Sequence, residues 1–210
     1  MMPPIIIAGC GPGHGDYLTT AVRNAVADAE VLVGARHLLE LFPEVKATRL
    51  TVGADIPAVL AAMEKHRDQR MAVLVSGDSG LFSLARRVQQ HFGHEQCRRI
   101  PGISSVQVAC ARLGIDWNDL RIVSAHGRAP AATVDELRHW HKIAILAGTS
   151  AATAWAADLL EQLGADYRAM VCENLTLAEE KIHQCDAATL RQASLASRTI
   201  IMLLHQEVMS

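Results

Sequence analysis

Ile5-Ile6-Ile7-Ala8-Gly9-Cys10-Gly11-Pro12-Gly13-His14-Gly15-Asp16 is an apolar, β-branched run that gives way to alternating glycines. The run reads as a buried strand and the glycines as a turn, because glycine accepts positive φ and lets a ligand approach backbone. The turn departs from the dinucleotide-binding fingerprint in two places. The third required glycine would fall where His14 stands, and Pro12 removes an N–H donor that a pyrophosphate needs. A ligand other than a phosphate chain is therefore expected at this strand end.

Outward from that stretch, strand and helix signals alternate through the first half, which favours α/β layering. A helix is expected over about 17–29 with Asp16 or Thr19 as its cap. A strand follows at 31–33, and then a helix capped by Asp55, with Ile56, Val59, Leu60 and Met63 on one face. The next strand is 71–75, and Ser76-Gly77-Asp78-Ser79-Gly80 opens a helix bearing Leu81, Leu84, Ala85 and Val88. A short strand at 97–100 leads through Pro101-Gly102-Ile103-Ser104-Ser105 into a helix that Gly114 ends. The three glycine turns each follow a strand, so in a mostly parallel sheet they gather at its carboxyl edge, where open α/β sheets bind ligands.

From about residue 116 the rhythm changes. Strands are expected at 120–125, 141–146, 169–172, 181–185 and 199–204, with a helix over 151–163 closed by Gly164. With so few helices between them, some neighbours must be antiparallel. Two α/β domains are expected, 1–116 with a mostly parallel sheet and 117–210 with a mixed one, joined near 113–118.

With 210 residues, half of them apolar, the chain can bury a sizeable core, and a formal net charge of −2 argues against nucleic acid as a partner. Met1-Met2-Pro3-Pro4 lacks the basic region of a signal peptide, and no apolar run approaches the roughly 20 residues that span a bilayer. A cytoplasmic protein without membrane contact is expected. The cysteines Cys10, Cys97, Cys110, Cys172 and Cys185 contain no CxxC pair and read as core residues in a reducing compartment. His139-Trp140-His141 is the nearest thing to a metal-ligand spacing, but on a helix the two histidines face different ways, so no metal site is expected.

Several chemistries lack their motifs. No Gly-Lys-Ser/Thr follows a glycine run, and neither a Gly-x-Ser-x-Gly elbow nor a reactive-cysteine signature occurs. After the strand at 31–33 comes Gly34-Ala35-Arg36 where NAD enzymes carry a ribose-binding carboxylate. Arg36 leaves room for a 2′-phosphate and so for an NADP-dependent oxidoreductase. Ser124-Ala125-His126-Gly127-Arg128 lies at a strand end, where His126 could accept a proton near neutral pH and Arg128 could hold a carboxylate with two prongs. Leu146-Ala147-Gly148-Thr149 and Glu173-Asn174-Leu175 are strand ends able to offer backbone groups to a polar ring.

The Gly-x-Gly-Pro-Gly opening, Asp16-Tyr17-Leu18-Thr19, Ser76-Gly77-Asp78-Ser79-Gly80 and Pro101-Gly102-Ile103-Ser104-Ser105 together resemble the tetrapyrrole (corrin/porphyrin) methylase family, through nearly the whole chain. Gly34-Ala35-Arg36-His37-Leu38, Gly77-Asp78-Ser79-Gly80-Leu81 and Ser124-Ala125-His126-Gly127-Arg128 resemble its branch that methylates carbon 5 of a precorrin or cobalt-precorrin in cobalamin (vitamin B12) biosynthesis. In that branch Ser79 takes the place of the proline that most members carry. The resemblance implies a two-domain homodimer that uses S-adenosyl-L-methionine, releases S-adenosyl-L-homocysteine, and folds the cofactor into a cleft between its domains. It implies Pro12, Gly77, Asp78, Leu81, Ser104 and Ser105 around the cofactor, with Ala147, Glu173 and Asn174 approaching the adenine. His126 and Arg128 would act on the acidic macrocycle, with Arg36 as a second cationic contact. The branch also occurs fused to a carbon-15 methyltransferase and decarboxylase, which this length does not include, so a separate partner would perform that step. Rival expectations are a methylase of the same fold acting on an RNA ribose or a diphthamide precursor, the NADP enzyme, and a noncatalytic partner in the same pathway.

Overall fold

The computed structural model describes residues 2–125 and 130–208. The chain divides into two compact units, residues 1–104 and 105–210. The boundary thus falls earlier than the 116 expected from sequence, because the helix at 105–113 lies against the last strand of the second unit.

The first unit is a five-stranded, wholly parallel sheet of β1 (Ile5–Gly9), β2 (Val31–Gly34), β3 (Thr48–Thr51), β4 (Met71–Val75) and β5 (Cys97–Ile100), in the order β3-β2-β4-β1-β5. Its central strands are apolar at nearly every position because both faces are covered. Ile5, Ile7, Val31, Val33, Val73 and Val75 point to one face, against Val59 and Met63 of α3 (Ile56–Glu64) and Ala85 and Val88 of α4 (Ala85–Phe92). Ala8, Leu32, Ala72 and Leu74 point to the other, against Val22 and Val26 of α1 (Thr20–Ala27) and Leu38 and Leu39 of α2 (Arg36–Leu39). The alternation within each strand is the period-two rule applied to a sheet with two cores.

Local differences from the sequence reading have local causes. The chain enters α1 late, through a 3-10 turn at Gly15–Tyr17 and an extended Leu18; Thr19 is the N-cap, its hydroxyl accepting the Val22 N–H at 3.2 Å. The helix after Gly80 begins only at Ala85, because Phe82 has φ +43° and Ser83 bridges the turn to the helix. Ser83 Oγ donates to Ser79 O at 2.7 Å and accepts the Ala85 N–H at 3.2 Å. The edge strand β3, Thr-Arg-Leu-Thr, is mostly exposed and carries no apolar run, so its sequence does not announce it.

The connection from β1 leads toward β2 on one side of the sheet, and that from β4 leads to β5 on the other. The carboxyl ends of β1 and β4 are thus a topological switch point, the place where an open α/β sheet leaves a crevice.

The second unit comprises α5 (Ser105–Leu113), β6 (Leu120–Ser124), α6 (Val134–Leu137), β7 (Lys142–Leu146), α7 (Ser150–Leu163), β8 (Tyr167–Glu173), β9 (Lys181–Cys185), α8 (Ala187–Gln192) and β10 (Thr199–His205). The sheet order is β6-β7-β10-β8-β9; β6 and β7 are parallel and the other pairs antiparallel, as expected of a mixed sheet. Ile143, Ile145, Leu159, Leu160, Val171, Leu190, Ile201 and Leu203 form its core. Helix α7 stops at Gly164, whose φ of +92° is a conformation that costs glycine little. The five cysteines are free, and all but the half-buried Cys97 are buried. Among the described residues no helix is long and apolar enough to cross a membrane.

Candidate functional site

The three glycine turns of the first unit meet at backbone distance. Gly11 and Gly77 form a reciprocal antiparallel bridge, Gly77 N–H to Gly11 O at 2.7 Å and Gly11 N–H to Gly77 O at 3.2 Å, across the ends of β1 and β4. Gly9 and Gly102 lie so close that a Cβ on Gly9 would stand 2.5 Å from Gly102 N and 2.8 Å from Gly77 O. A Cβ on Gly102 would overlap the carbonyl oxygens of Gly9 and Gly77. No side chain fits at Gly9 or Gly102 without moving backbone, which explains the residue type at both.

Asp78 locks this arrangement. Its Oδ1 accepts the Gly80 N–H at 2.7 Å and its Oδ2 accepts the Gly102 N–H at 3.1 Å, so one carboxylate ties the turn after β4 to the turn after β5. Arg99 of β5 reinforces the tie by donating to Ser79 O at 3.3 Å, and it also bonds Gln89. Leu81 closes the Asp78 turn with an N–H to Asp78 O at 3.2 Å.

The donor inventory of the crevice is informative. Cys10 N–H goes to Val75 O at 2.8 Å, Gly11 and Gly77 donate to each other, and Gly80 and Gly102 donate to Asp78; Pro12 has no N–H. Helix α1 begins at Thr20, nine residues beyond Gly11, with its N-cap hydroxyl already engaged. A phosphate cradle needs free N–H groups aimed at the anion; here the N–H groups of Cys10, Gly11, Gly77, Gly80 and Gly102 are taken up within the protein, and the Asp78 carboxylate stands among them. The arrangement suits a ligand held by shape, carbonyl oxygens and a negative charge better than a phosphate chain.

Pro12 and Leu81 are half-buried at this edge, Ser104 is buried, and Ser105 begins α5. Arg36 and His37 open α2 at the carboxyl end of β2, with His37 Nε2 3.4 Å from Ser76 Oγ. Gly9 and Gly102 lie at the carboxyl edge where their turns are expected from the sequence, although neither is among the cofactor residues the resemblance implies; His37 belongs to the edge as well, and nothing local in the sequence marks it. The Cys10 thiol contacts Ala8 O at 3.5 Å, and burial pushes its pKa up to about 12, so it is a packing residue and no nucleophile.

In the second unit Ala147 and Asn174 end β7 and β8 on either side of the start of β10. Ala147 N–H donates to Thr199 O and Asn174 N–H to Arg198 O, both at 3.0 Å. Asn174 has φ +49°, which Asn tolerates better than most residues. The Glu173 carboxylate accepts the Ala196 N–H at 2.8 Å, so its side chain fastens the loop before β10. His126 and Arg128 lie outside the described residues.

An open parallel sheet with glycine turns packed together at its switch point, and a mixed five-stranded sheet in the second unit, define the α/β class to which the chain belongs. The chain belongs to the tetrapyrrole (corrin/porphyrin) methylase family, whose model matches residues 4–191. It is 37% identical over 180 residues to a cobalt-precorrin-7 C(5)-methyltransferase of Salmonella typhimurium, covering 85% of this chain and 89% of that protein. Among solved structures, a precorrin-6Y methylase of cobalamin biosynthesis from Archaeoglobus fulgidus superposes with a TM-score of 0.73 at 27% identity, over 96% of this chain and 98% of that one. A uroporphyrin-III C-methyl transferase from Thermus thermophilus, solved with S-adenyl homocysteine, superposes at 0.78 and 17% identity over 96% of this chain and 97% of its own, which shows the shared fold.

Proposed function

We propose that this chain uses S-adenosyl-L-methionine to methylate carbon 5 of a cobalt-precorrin in cobalamin biosynthesis. The observation that carries the cofactor class is that the N–H groups of Cys10, Gly11, Gly77, Gly80 and Gly102 are taken up within the protein beside the Asp78 carboxylate, which suits a sulfonium ligand better than a diphosphate. The carbon-5 assignment is supported by the likeness to the Salmonella enzyme.

S-adenosyl-L-methionine, when bound, supplies a methyl group already activated on a positively charged sulfur. The residues of this chain bind and orient. Gly9, Gly77 and Gly102 provide a floor without side chains, Asp78 contributes fixed negative charge, Pro12 and Leu81 exclude water, and Ser104 and Ser105 add hydroxyls. Ala147, Glu173 and Asn174 are assigned to the adenine through backbone groups. Arg128, with Arg36 second, holds the carboxylates of the macrocycle, and His126 contacts substrate and takes a proton from it. Alignment of methyl and ring carbon is the main contribution asked of such a site, and well-oriented reactants gain up to roughly 7–11 kcal/mol this way. We further assign the chain as a cytoplasmic homodimer, with a carbon-15 methyltransferase and decarboxylase as a candidate partner.

The test is a single-turnover reaction of the purified chain with methyl-labelled cofactor and cobalt-precorrin-7 or its metal-free counterpart, the label located by NMR. Label at carbon 5 is the expected result; label elsewhere, or no transfer to either macrocycle, overturns the assignment. His126→Ala with unchanged transfer and unchanged substrate affinity would remove His126 from the scheme.

A further inference from the structure

Within the second sheet, β7 begins and β10 ends at the edge opposite Ala147 and Asn174. These strands are antiparallel, so His141, just before β7, and His205, the last residue of β10, face each other across the ladder. The His205 N–H donates to His141 O at 2.8 Å, and the two imidazoles stack with centroids 4.5 Å apart and planes inclined by 19°. The chain then turns through the 3-10 helix Gln206–Val208, which brings Glu207 back to the pair. Glu207 Oε2 lies 3.4 Å from His141 Nδ1 and 3.8 Å from His205 Nδ1.

We propose that His141, His205 and Glu207 bind a divalent transition metal of the zinc class, a clasp between the start of β7 and the end of β10. One ligand atom from each residue lies within 4.8 Å of the other two. Tetrahedral donors at zinc distances stand roughly 3.3 Å apart, so small side-chain rotations close the set. Two imidazoles and one carboxylate suit zinc, nickel or copper; magnesium and calcium prefer oxygen ligands throughout. An ordinary surface ion pair needs one imidazole against one carboxylate, whereas here two imidazoles turn the same ring nitrogen to the same oxygen.

The surroundings hold the donors in place, as outer partners of metal ligands do. The Tyr167 ring meets His205 edge-on at 5.2 Å, and its hydroxyl lies 3.3 Å from both Arg138 O and Trp140 O. Gln206 anchors the turn that carries Glu207, its N–H bonding Asp166 O at 2.8 Å and its amide bonding Asp166 Oδ1 at 3.0 Å. The long 3.4 Å contact from Glu207 N–H to His205 Nδ1 is the bond a metal would replace. His141 and Glu207 are exposed, so the remaining coordination position is open to water. The five residues of β7 span roughly 17 Å, which keeps the clasp away from the strand ends assigned to cofactor. The His139–His141 spacing, on which no metal is expected from sequence, says nothing of a cross-strand partner 64 positions on.

The test is titration of the chelator-treated full chain with zinc and with cobalt(II), read by calorimetry and by the visible ligand-field absorption of cobalt. One equivalent bound at micromolar affinity or tighter, with a cobalt spectrum of low-symmetry four- or five-coordination and a raised unfolding temperature, is expected. His141→Ala and His205→Ala should each weaken binding by about ten- to a hundredfold, Glu207→Gln by about tenfold, and the exposed control His139→Ala not at all. Far-UV circular dichroism confirms that each variant folds, and Glu207→Gln, which alters only an exposed carboxylate, serves if a histidine variant does not. Binding no tighter than millimolar, or an affinity that none of these substitutions lowers, overturns the proposal.

Discussion

Asp78 Oδ2 accepts the backbone N–H of Gly102 at 3.1 Å, and through that bond the turns after β4 and β5 are held as one surface. The other carboxylate oxygen takes the Gly80 N–H at 2.7 Å, so the residue accepts from both turns. Because Gly9 and Gly77 pack against Gly102 with no room for a Cβ on Gly102, the surface is made of main chain, and the Asp78 carboxylate is bonded to both turns that form it.

Asp78→Ala is therefore expected to weaken S-adenosylhomocysteine binding at least about tenfold, since hydrogen bonds to a charged group are worth about 1.5–3 kcal/mol. Asp78→Asn should fall between, because its amide keeps one acceptor but turns an NH2 toward a donor. Calorimetric titration measures both; parental affinity in each variant would show that the carboxylate does not position the site.

Gly102→Ala is expected to destabilise the first unit by about 1–3 kcal/mol through overpacking against the Gly9 and Gly77 carbonyls. Gly53→Ala, where a Cβ meets nothing within 4 Å, is the matched control and should be close to neutral. Urea unfolding midpoints at constant slope make the comparison.

Much of the fold was legible because β1, β2 and β4 are buried on both faces and so carry uninterrupted apolar runs, each ending in a small or glycine-bearing turn. The exposed edge strand β3 and the four-residue α2 carry no such signal. The site was legible as glycine spacing, but its logic was not: that Asp78 accepts from Gly102, 24 residues away, and that Gly11 and Gly77 satisfy each other, follow from sheet order. His37 beside Ser76 and His205 beside His141 likewise depend on strands that only the topology brings together.

The thiols offer a check on the cores. Burial pushes Cys10 and Cys172 up to about 12, whereas Cys97 is raised less and is only half-buried. Cys97 should be alkylated first, with Cys10 and Cys172 protected until unfolding, as mass spectrometry after timed labelling reads out. Since folding raises these pKa values, the stabilisation is complete below the ordinary thiol range near about 8.5 and is lost as pH rises toward the folded values. Unfolding midpoints should accordingly fall above about pH 9.

Glu180 behaves in the opposite sense. Arg112 at 2.7 Å, and then the Thr176 N–H at 2.5 Å, hold its carboxyl below the usual range. Its contribution is present above the unfolded value of about 4.3 and is lost as pH falls through the lowered folded one. Glu180→Gln should cost about 1 kcal/mol or less at pH 7, as expected for a pair this near the surface, and the difference should vanish in acid. Parallel stability profiles of the two proteins between neutral and acid pH decide it.

The most direct measurement is a pair of equilibrium titrations of the intact chain, one with S-adenosylhomocysteine and one with NADPH, repeated on Gly102→Ala. S-adenosylhomocysteine should saturate at one per chain and raise the unfolding temperature, its affinity falling at least about tenfold, or 1.4 kcal/mol, in the variant. NADPH should do neither. Stoichiometric binding of NADPH with S-adenosylhomocysteine inert would contradict the claim that the glycine crevice holds a sulfonium cofactor.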